Sequence, residues 1–199
     1  SPQVLIIHTH TTETFMTEKT DYYIELANKL SDGFSVIFVL GVEEQDIKSE
    51  LEPMLAYDQF VLSEITSLAI VDLLADFGIE AKIKWPNDIY VGNRKICGML
   101  IENSLRGEWI QHSIIGIGLN VNQEVFYSDA PNPVSLKQIL GVEVDLQELL
   151  KKVLHCITGG YRMLEGDFDI NQPILSVMYR KYLYRKEGLF PYRDAQGEF

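Results

Sequence analysis

The 199-residue sequence predicts an α/β fold of the α+β kind: a mixed, largely antiparallel sheet packed with helices. Three observations lead there. Several short runs rich in β-branched and aromatic residues read as strands. A Gly-Asn pair between two such runs marks a two-residue hairpin, which joins antiparallel neighbours. The helical segments do not alternate regularly with the strands, as a parallel βαβ sheet would require.

In chain order, residues 3–7 (QVLII) read as a short buried strand. A helix is expected over 21–30, where Tyr23, Leu26, Ala27 and Leu30 share one face. Phe34 to Leu40 is a strand by composition, and the acidic stretch 43–51 has a helical pattern that Pro53 ends. A long helix covers about 57–77, with Val61, Leu62, Ile65, Leu68, Ala69 and Leu73 on a broad apolar face. Residues 80–85 form the next strand, and Ile89–Val91 and Lys95–Glu102 flank the Gly92-Asn93 turn. Gln111–Val121 follows as a strand after the turn around Gly107. Asp145-x-x-Glu148 resembles a capping box that opens a helix to about Leu164, which Gly159-Gly160 should kink or interrupt. The last helix is expected over 173–185 and carries Arg180, Lys181, Arg185 and Lys186. No internal repeat or low-complexity segment stands out.

With 46% hydrophobic residues, the chain can bury one substantial core. A formal net charge of -12 argues against a general nucleic-acid surface, which needs clustered Lys and Arg, and is read as a solubility feature. The two cysteines, Cys97 and Cys156, lack metal-ligand spacing and suit a reducing compartment. No apolar run reaches the length of a membrane span, and the opening SPQVLII lacks the basic start of a signal peptide. The expectation is a cytoplasmic protein with neither membrane nor nucleic acid as a partner.

The densest chemistry lies in KWPNDIYVGNRKICGML, residues 84–100. Pro86 forces Trp85 towards extended backbone, so the chain turns sharply after the strand. Asn87 and Asp88 then occupy a strand-to-hairpin corner, and Lys95 opens the return strand close to that corner. Gly98 lets a ligand or a neighbouring strand approach the backbone. Two lysines beside one pocket would offer point charges to a phosphate or carboxylate. On turn chemistry alone, an ordinary exposed hairpin is the preferred reading.

The order of motifs changes that balance. Lys84-Trp85-Pro86-Asn87-Asp88, then Arg94-Lys95-Ile96-Cys97-Gly98, then Gly116-Ile117-Gly118-Leu119-Asn120 resembles the biotin protein ligase family (biotin–acetyl-CoA-carboxylase ligases). The helix before the first motif and SDAPNPVSLKQ at 128–138 are similar too, so the likeness covers roughly 54–199. It implies a catalytic domain over 1–185, with a fold like that of class II aminoacyl-tRNA synthetases. It further implies that 186–199 begin a truncated C-terminal small β-barrel.

The implied reaction activates biotin with ATP and Mg2+ to biotinyl-5'-AMP, then transfers biotin to a lysine of a biotin carboxyl carrier domain. The resemblance assigns Lys95 as the catalytic cation. It places Thr20, Lys84, Trp85, Asn87, Asp88, Gly98, Gly116, Gly118 and Asn120 around biotin and ATP, with Asp88 holding the metal. A homodimer is compatible with it. IIGIGLNVN is not a dinucleotide fingerprint, because Val121 stands where GxGxxG needs its last glycine. Without the family, those glycines read as a bent core strand.

Two features depart from the family. Its Gly- and Arg-rich loop ahead of residue 54 has no counterpart, since the first arginine of the chain is Arg94. Gly33-Phe34-Ser35 reads as a junction between segments that this loop separates, and the D-S-T-N segment survives only as Thr20 in EKTD. These losses leave room for a paralogue that binds biotin or an adenylate without turnover. A third reading comes from HTHTTE, where His8, His10 and Glu13 resemble the opening of sporulation-type cell-wall amidases that use zinc. Two strand-end histidines without an identified third ligand are usually structural, so zinc is the minor alternative.

Overall fold

The computed structural model describes residues 3–8, 36–43, 59–126, 132–163 and 168–191. Among these residues six strands form one sheet: β1 (Gln3–His8), β2 (Val36–Glu43), β3 (Lys82–Lys84), β4 (Asp88–Val91), β5 (Arg94–Arg106) and β6 (Trp109–Leu119). Their order is β1-β2-β6-β5-β4-β3. Only β1 and β2 pair in parallel, and every other neighbour is antiparallel, as the sequence predicts. The expected helix over 21–30, the acidic stretch 43–51, the junction at 33–35, Thr20, His10 and Glu13 lie outside the described residues.

Among the described residues four helices accompany the sheet: α1 (Phe60–Asp76), α2 (Leu136–Leu140), α3 (Leu146–Arg162) and α4 (Phe168–Lys181). α1 is the central helix. Its apolar residues run beyond one stripe, because the sheet lies on one side while α3 and α4 pack on others. Ile65, Ile70, Leu73 and Leu74 on α1 and Ile83, Ile89, Ile96, Ile115 and Ile117 on the strands are fully buried and fill the space between.

The glycine pair in α3 does not interrupt it; the helix continues to Arg162. A Cβ on Gly160 would stand 2.7 Å from Ile65 Cγ2, so this glycine admits the close approach of α1. That helix contact offsets the propensity cost which made a break the natural expectation. Asp145 caps α3 by accepting from the Gln147 and Glu148 N–H groups at 2.8 and 3.0 Å. Glu148 does not complete the box, because its carboxylate takes the Lys151 ammonium at 2.6 Å. A complete capping box stands instead at Ser135 and Gln138, opening the five-residue α2, which closes on Gly141 at φ 76°.

α4 starts at Phe168 and ends at Lys181, so the expectation of 173–185 is shifted. Pro173 lies inside the helix rather than at its first position. The chain leaves the helix at Tyr182 because its backbone turns to the sheet. Ile83 N–H donates to the Tyr182 carbonyl and Tyr184 N–H to the Ile83 carbonyl, both at 2.8 Å. Residues 182–184 thereby cover the edge strand β3.

Candidate functional site

β4 and β5 meet at the predicted Gly92-Asn93 turn, where only Gly92 has positive φ, at 59°. That is the pattern of a type II′ hairpin, not type I′, which needs two such residues. Ahead of the hairpin, the Trp85-Pro86 peptide is cis and Trp85 stands 67% exposed at the corner. Asn87 locks the corner to β5: its Nδ2 donates to the Met99 carbonyl at 2.7 Å and its carbonyl accepts from Met99 N–H at 2.8 Å.

Strand register then assembles the site. Lys84 is opposite Asp88, Asp88 opposite Gly98, Gly98 opposite Gly118, and Gly116 opposite Leu100. Partners in register share a face, so Lys84, Asp88, Gly98 and Gly118 form one row across four strands, with Gly116 two positions along. The opposite face carries Ile83, Ile89, Cys97, Ile117 and Leu119, all fully buried against the helices. The glycines thus place no side chain on the face that carries the charges, and all three are buried.

Lys95 reaches this face through an irregularity. Ile89 is opposite Cys97 and Tyr90 opposite Lys95, so β5 contributes one extra residue, Ile96, at this point. Strict alternation would put Lys95 on the same side as Cys97, under the sheet. The bulge reverses the alternation and aims Lys95 back at Asp88. Lys95 Nζ lies 2.6 Å from Asp88 Oδ1, and both side chains keep about a fifth of their surface exposed. Lys84 does not join the pair; its Nζ donates to the Tyr90 hydroxyl at 3.1 Å.

β6 ends at Leu119, and residues 132–134 take its place beside Lys95. Lys95 N–H donates to the Asn132 carbonyl and Val134 N–H to the Lys95 carbonyl, each at 2.9 Å. Asn120 pins this junction. Its Nδ2 donates to the Lys95 carbonyl at 3.3 Å and to the Val134 carbonyl at 3.0 Å. The residue is 2% exposed, and its Oδ1 has no hydrogen-bond partner among the described residues. Burial pushes the Cys97 thiol well above its usual range, so it stays neutral beneath the pair.

The structure therefore brings Lys84, Asn87, Asp88, Lys95, Gly98, Gly116, Gly118 and Asn120 together on or beside one patch of sheet. Sequence reasoning missed the bulge, the Tyr90 hydroxyl and the 132–134 strap. The adjacent apolar residues Ile96 and Cys97, where alternation requires one in and one out, were the available sign of the bulge. Among the described residues no three His, Cys, Asp or Glu side chains gather as a metal cluster, and no helix is long and apolar enough to cross a membrane.

Residues 31–120, the segment that holds the bulged lysine, its facing carboxylate and the glycine row, match the model of the biotin/lipoate A/B protein ligase family. Biotin protein ligases are among the curated proteins the chain resembles. The bifunctional ligase/repressor BirA of Bacillus subtilis is 34% identical over 107 residues, 51% of this chain and 32% of that protein. BirA of Escherichia coli is 31% identical over 152 residues, covering 68% of this chain and 46% of its own length. The biotin–[acetyl-CoA-carboxylase] ligase of Paracoccus denitrificans is 35% identical over 96 residues, 45% of this chain and 40% of that one. The chain thus spans less than half the length of these relatives. The biotin protein ligase of Aquifex aeolicus, solved in complex with biotin and ATP, superposes with a TM-score of 0.59 at 19% identity, over 90% of this chain and 78% of that one. At that identity the likeness establishes the fold.

Proposed function

We propose that this chain is the catalytic domain of a biotin protein ligase: the biotin carboxylate attacks the α-phosphate of ATP, giving biotinyl-AMP and releasing pyrophosphate, and the biotinyl group then passes to a lysine of a biotin carboxyl carrier domain with release of AMP. The observation that carries the reading is the Lys95–Asp88 pair at 2.6 Å beside the Gly98–Gly118 row, which carries no side chains. Both half-reactions gather negative charge on oxygen, from the biotin carboxylate and the α-phosphate first, then from the leaving AMP. A fixed ammonium of Lys95 stabilises that charge, and the glycines let both substrates lie against the sheet. Holding the two reactants together removes the entropy cost of their encounter.

Asp88 has two duties in this reading. One oxygen orients Lys95, and the carboxylate is also the residue that would hold Mg2+, an ion that needs only one or two carboxylates beside the nucleotide phosphates. When bound, the ion supplies charge neutralisation on the phosphate oxygens. Asn87 secures the corner on which Asp88 sits, Lys84 adds charge at the rim, and the exposed Trp85 offers an aromatic face. The buried Asn120 Oδ1, which has no hydrogen-bond partner among the described residues, would accept one hydrogen bond from the adenylate. Thr20 belongs to the same assignment through its motif. The division into a catalytic part to 185 and the start of a small β-barrel from 186 is part of the same proposal.

The absence of an arginine before Arg94 favours a second reading, a paralogue that binds biotin or its adenylate without turnover. One experiment separates them. Incubation with labelled biotin, ATP and Mg2+ yields biotinyl-AMP if the ligase reading holds. Bound but unmodified biotin would leave the paralogue, and neither product nor binding would reject both.

A further inference from the structure

Charge is segregated along this acidic chain. Segments 80–95 and 180–191 together hold eight of the 17 Lys and Arg residues but three of the 29 Asp and Glu residues. The fold joins them into one surface. Tyr182 and Tyr184 hydrogen-bond the backbone of Ile83, the Tyr184 hydroxyl donates to Asn93 Oδ1 at 2.6 Å, and the Tyr90 and Tyr184 rings meet at a tilt with centroids 5.3 Å apart. Arg94, Lys181, Arg185 and Lys186 are exposed on this edge, and none pairs with a carboxylate of the described residues. Aromatic rings hold two of them: Arg185 lies between Tyr184 and Phe190 at 5.0 and 4.9 Å, and Lys181 Nζ is 5.6 Å from the Tyr182 ring. Positioned cations without internal partners leave their field directed outward. The edge is continuous with the site, because Lys84 and Asp88 are register partners on the strands that form it.

We propose that this basic edge, formed by β3, the β4–β5 turn and the segment after α4, docks an acidic patch of the protein whose lysine receives the activated biotin. The inference rests on the ligase reading, which requires a folded acceptor to bring an amine to Lys95. A compact partner with a local acidic patch fits the charge layout better than a nucleic acid does. A duplex presents a charge every ~1.7 Å and would extend past the edge. There it would meet the rest of the chain, where nine cations face 26 carboxylates. Screening over about 8–10 Å at ordinary ionic strength lets a small patch act locally while the remainder repels.

The test uses the intact chain and its double variant Lys181→Glu/Lys186→Glu, neither residue belonging to the catalytic group. Protein preloaded with biotinyl-AMP is mixed with a recombinant biotin carboxyl carrier domain of net negative charge, and single-turnover transfer is followed against salt. Adenylate formation should stay at the wild-type rate, while transfer kcat/KM falls about tenfold or more at low salt and the gap narrows at high salt. Equal, salt-insensitive transfer in both proteins would overturn the proposal. So would tighter binding of a short DNA duplex than of the carrier domain, which would make the edge a nucleic-acid surface. If the wild type forms no adenylate, the ligase reading fails separately. Salt-dependent carrier binding lost in the double variant would then still support the docking edge, and no binding by the wild type would reject it.

Discussion

Lys95 and Asp88 meet at 2.6 Å although they are not register partners: Lys95 is opposite Tyr90, and Asp88 is opposite Gly98. The extra residue Ile96 closes that gap by turning Lys95 to the charged face. Lys95→Ala should therefore abolish adenylate formation. A charge-assisted contact contributes ~1.5–3 kcal/mol in binding, and more where charge develops. Some stability should be lost as well, because both side chains are about four-fifths buried and Asp88 is left without its cation, but the protein should remain folded. Adenylation rates and denaturation midpoints of the same preparation check both halves.

Asn120→Ala should act differently, lowering stability along with activity. It removes two donated bonds that tie β5 to the 132–134 strap, at a cost of about 0.5–1.5 kcal/mol for each bond. Urea unfolding should show that loss, and unchanged stability would mean the amide does not hold this junction.

The two helix glycines should part company. Gly159 has open space where a Cβ would go, so Gly159→Ala should stabilise by about 0.5–1 kcal/mol. Gly160→Ala drives a methyl against Ile65 Cγ2 at 2.7 Å, and overpacking costs about 1–3 kcal/mol, more than the propensity gain. Opposite signs in thermal unfolding are expected.

Glu64 links α1 to α4. It is 4% exposed, and both its oxygens accept from the Ser176 hydroxyl, at 2.8 and 3.0 Å. Burial raises its pKa above the usual carboxylate range, against smaller lowering by Ser176 and Arg180. Burial, then the charge on Glu64, pushes neighbouring Tyr179 up to about 12. The folded protein thus holds the Glu64 proton more tightly than the unfolded chain. This contribution to stability is present below the unfolded pKa and is lost as pH rises through the folded value. Glu64→Gln keeps an acceptor for Ser176 and should flatten that decline, making the variant relatively more stable at neutral pH. Parallel pH–stability curves for the two proteins would contradict the assignment.

Much of the fold was legible because its signals are local. The periodicity of α1, the Gly92-Asn93 turn, the Asp145 cap and the ordered motifs around Lys84, Lys95 and Gly116 each lie within a few residues of one another. What escaped depends on distant partners. Gly160 reads as a helix breaker until Ile65 packs on it, and Pro173 reads as a helix start although five helical residues precede it. The placement of β6 between β2 and β5 has no local sequence signal, nor does the strap that replaces it beside Lys95. Asn120 was read as a substrate ligand by motif, and only the structure reveals that its amide donates to two backbone carbonyls.

The central claim is that the Lys95–Asp88 face activates biotin, and biotin-dependent exchange of labelled pyrophosphate into ATP tests it most directly. The wild-type chain should catalyse exchange only when biotin and Mg2+ are both present, and Lys95→Ala should reduce it to background while remaining folded. Exchange that survives in Lys95→Ala, or none in a folded wild-type protein that still binds biotin, would contradict the account.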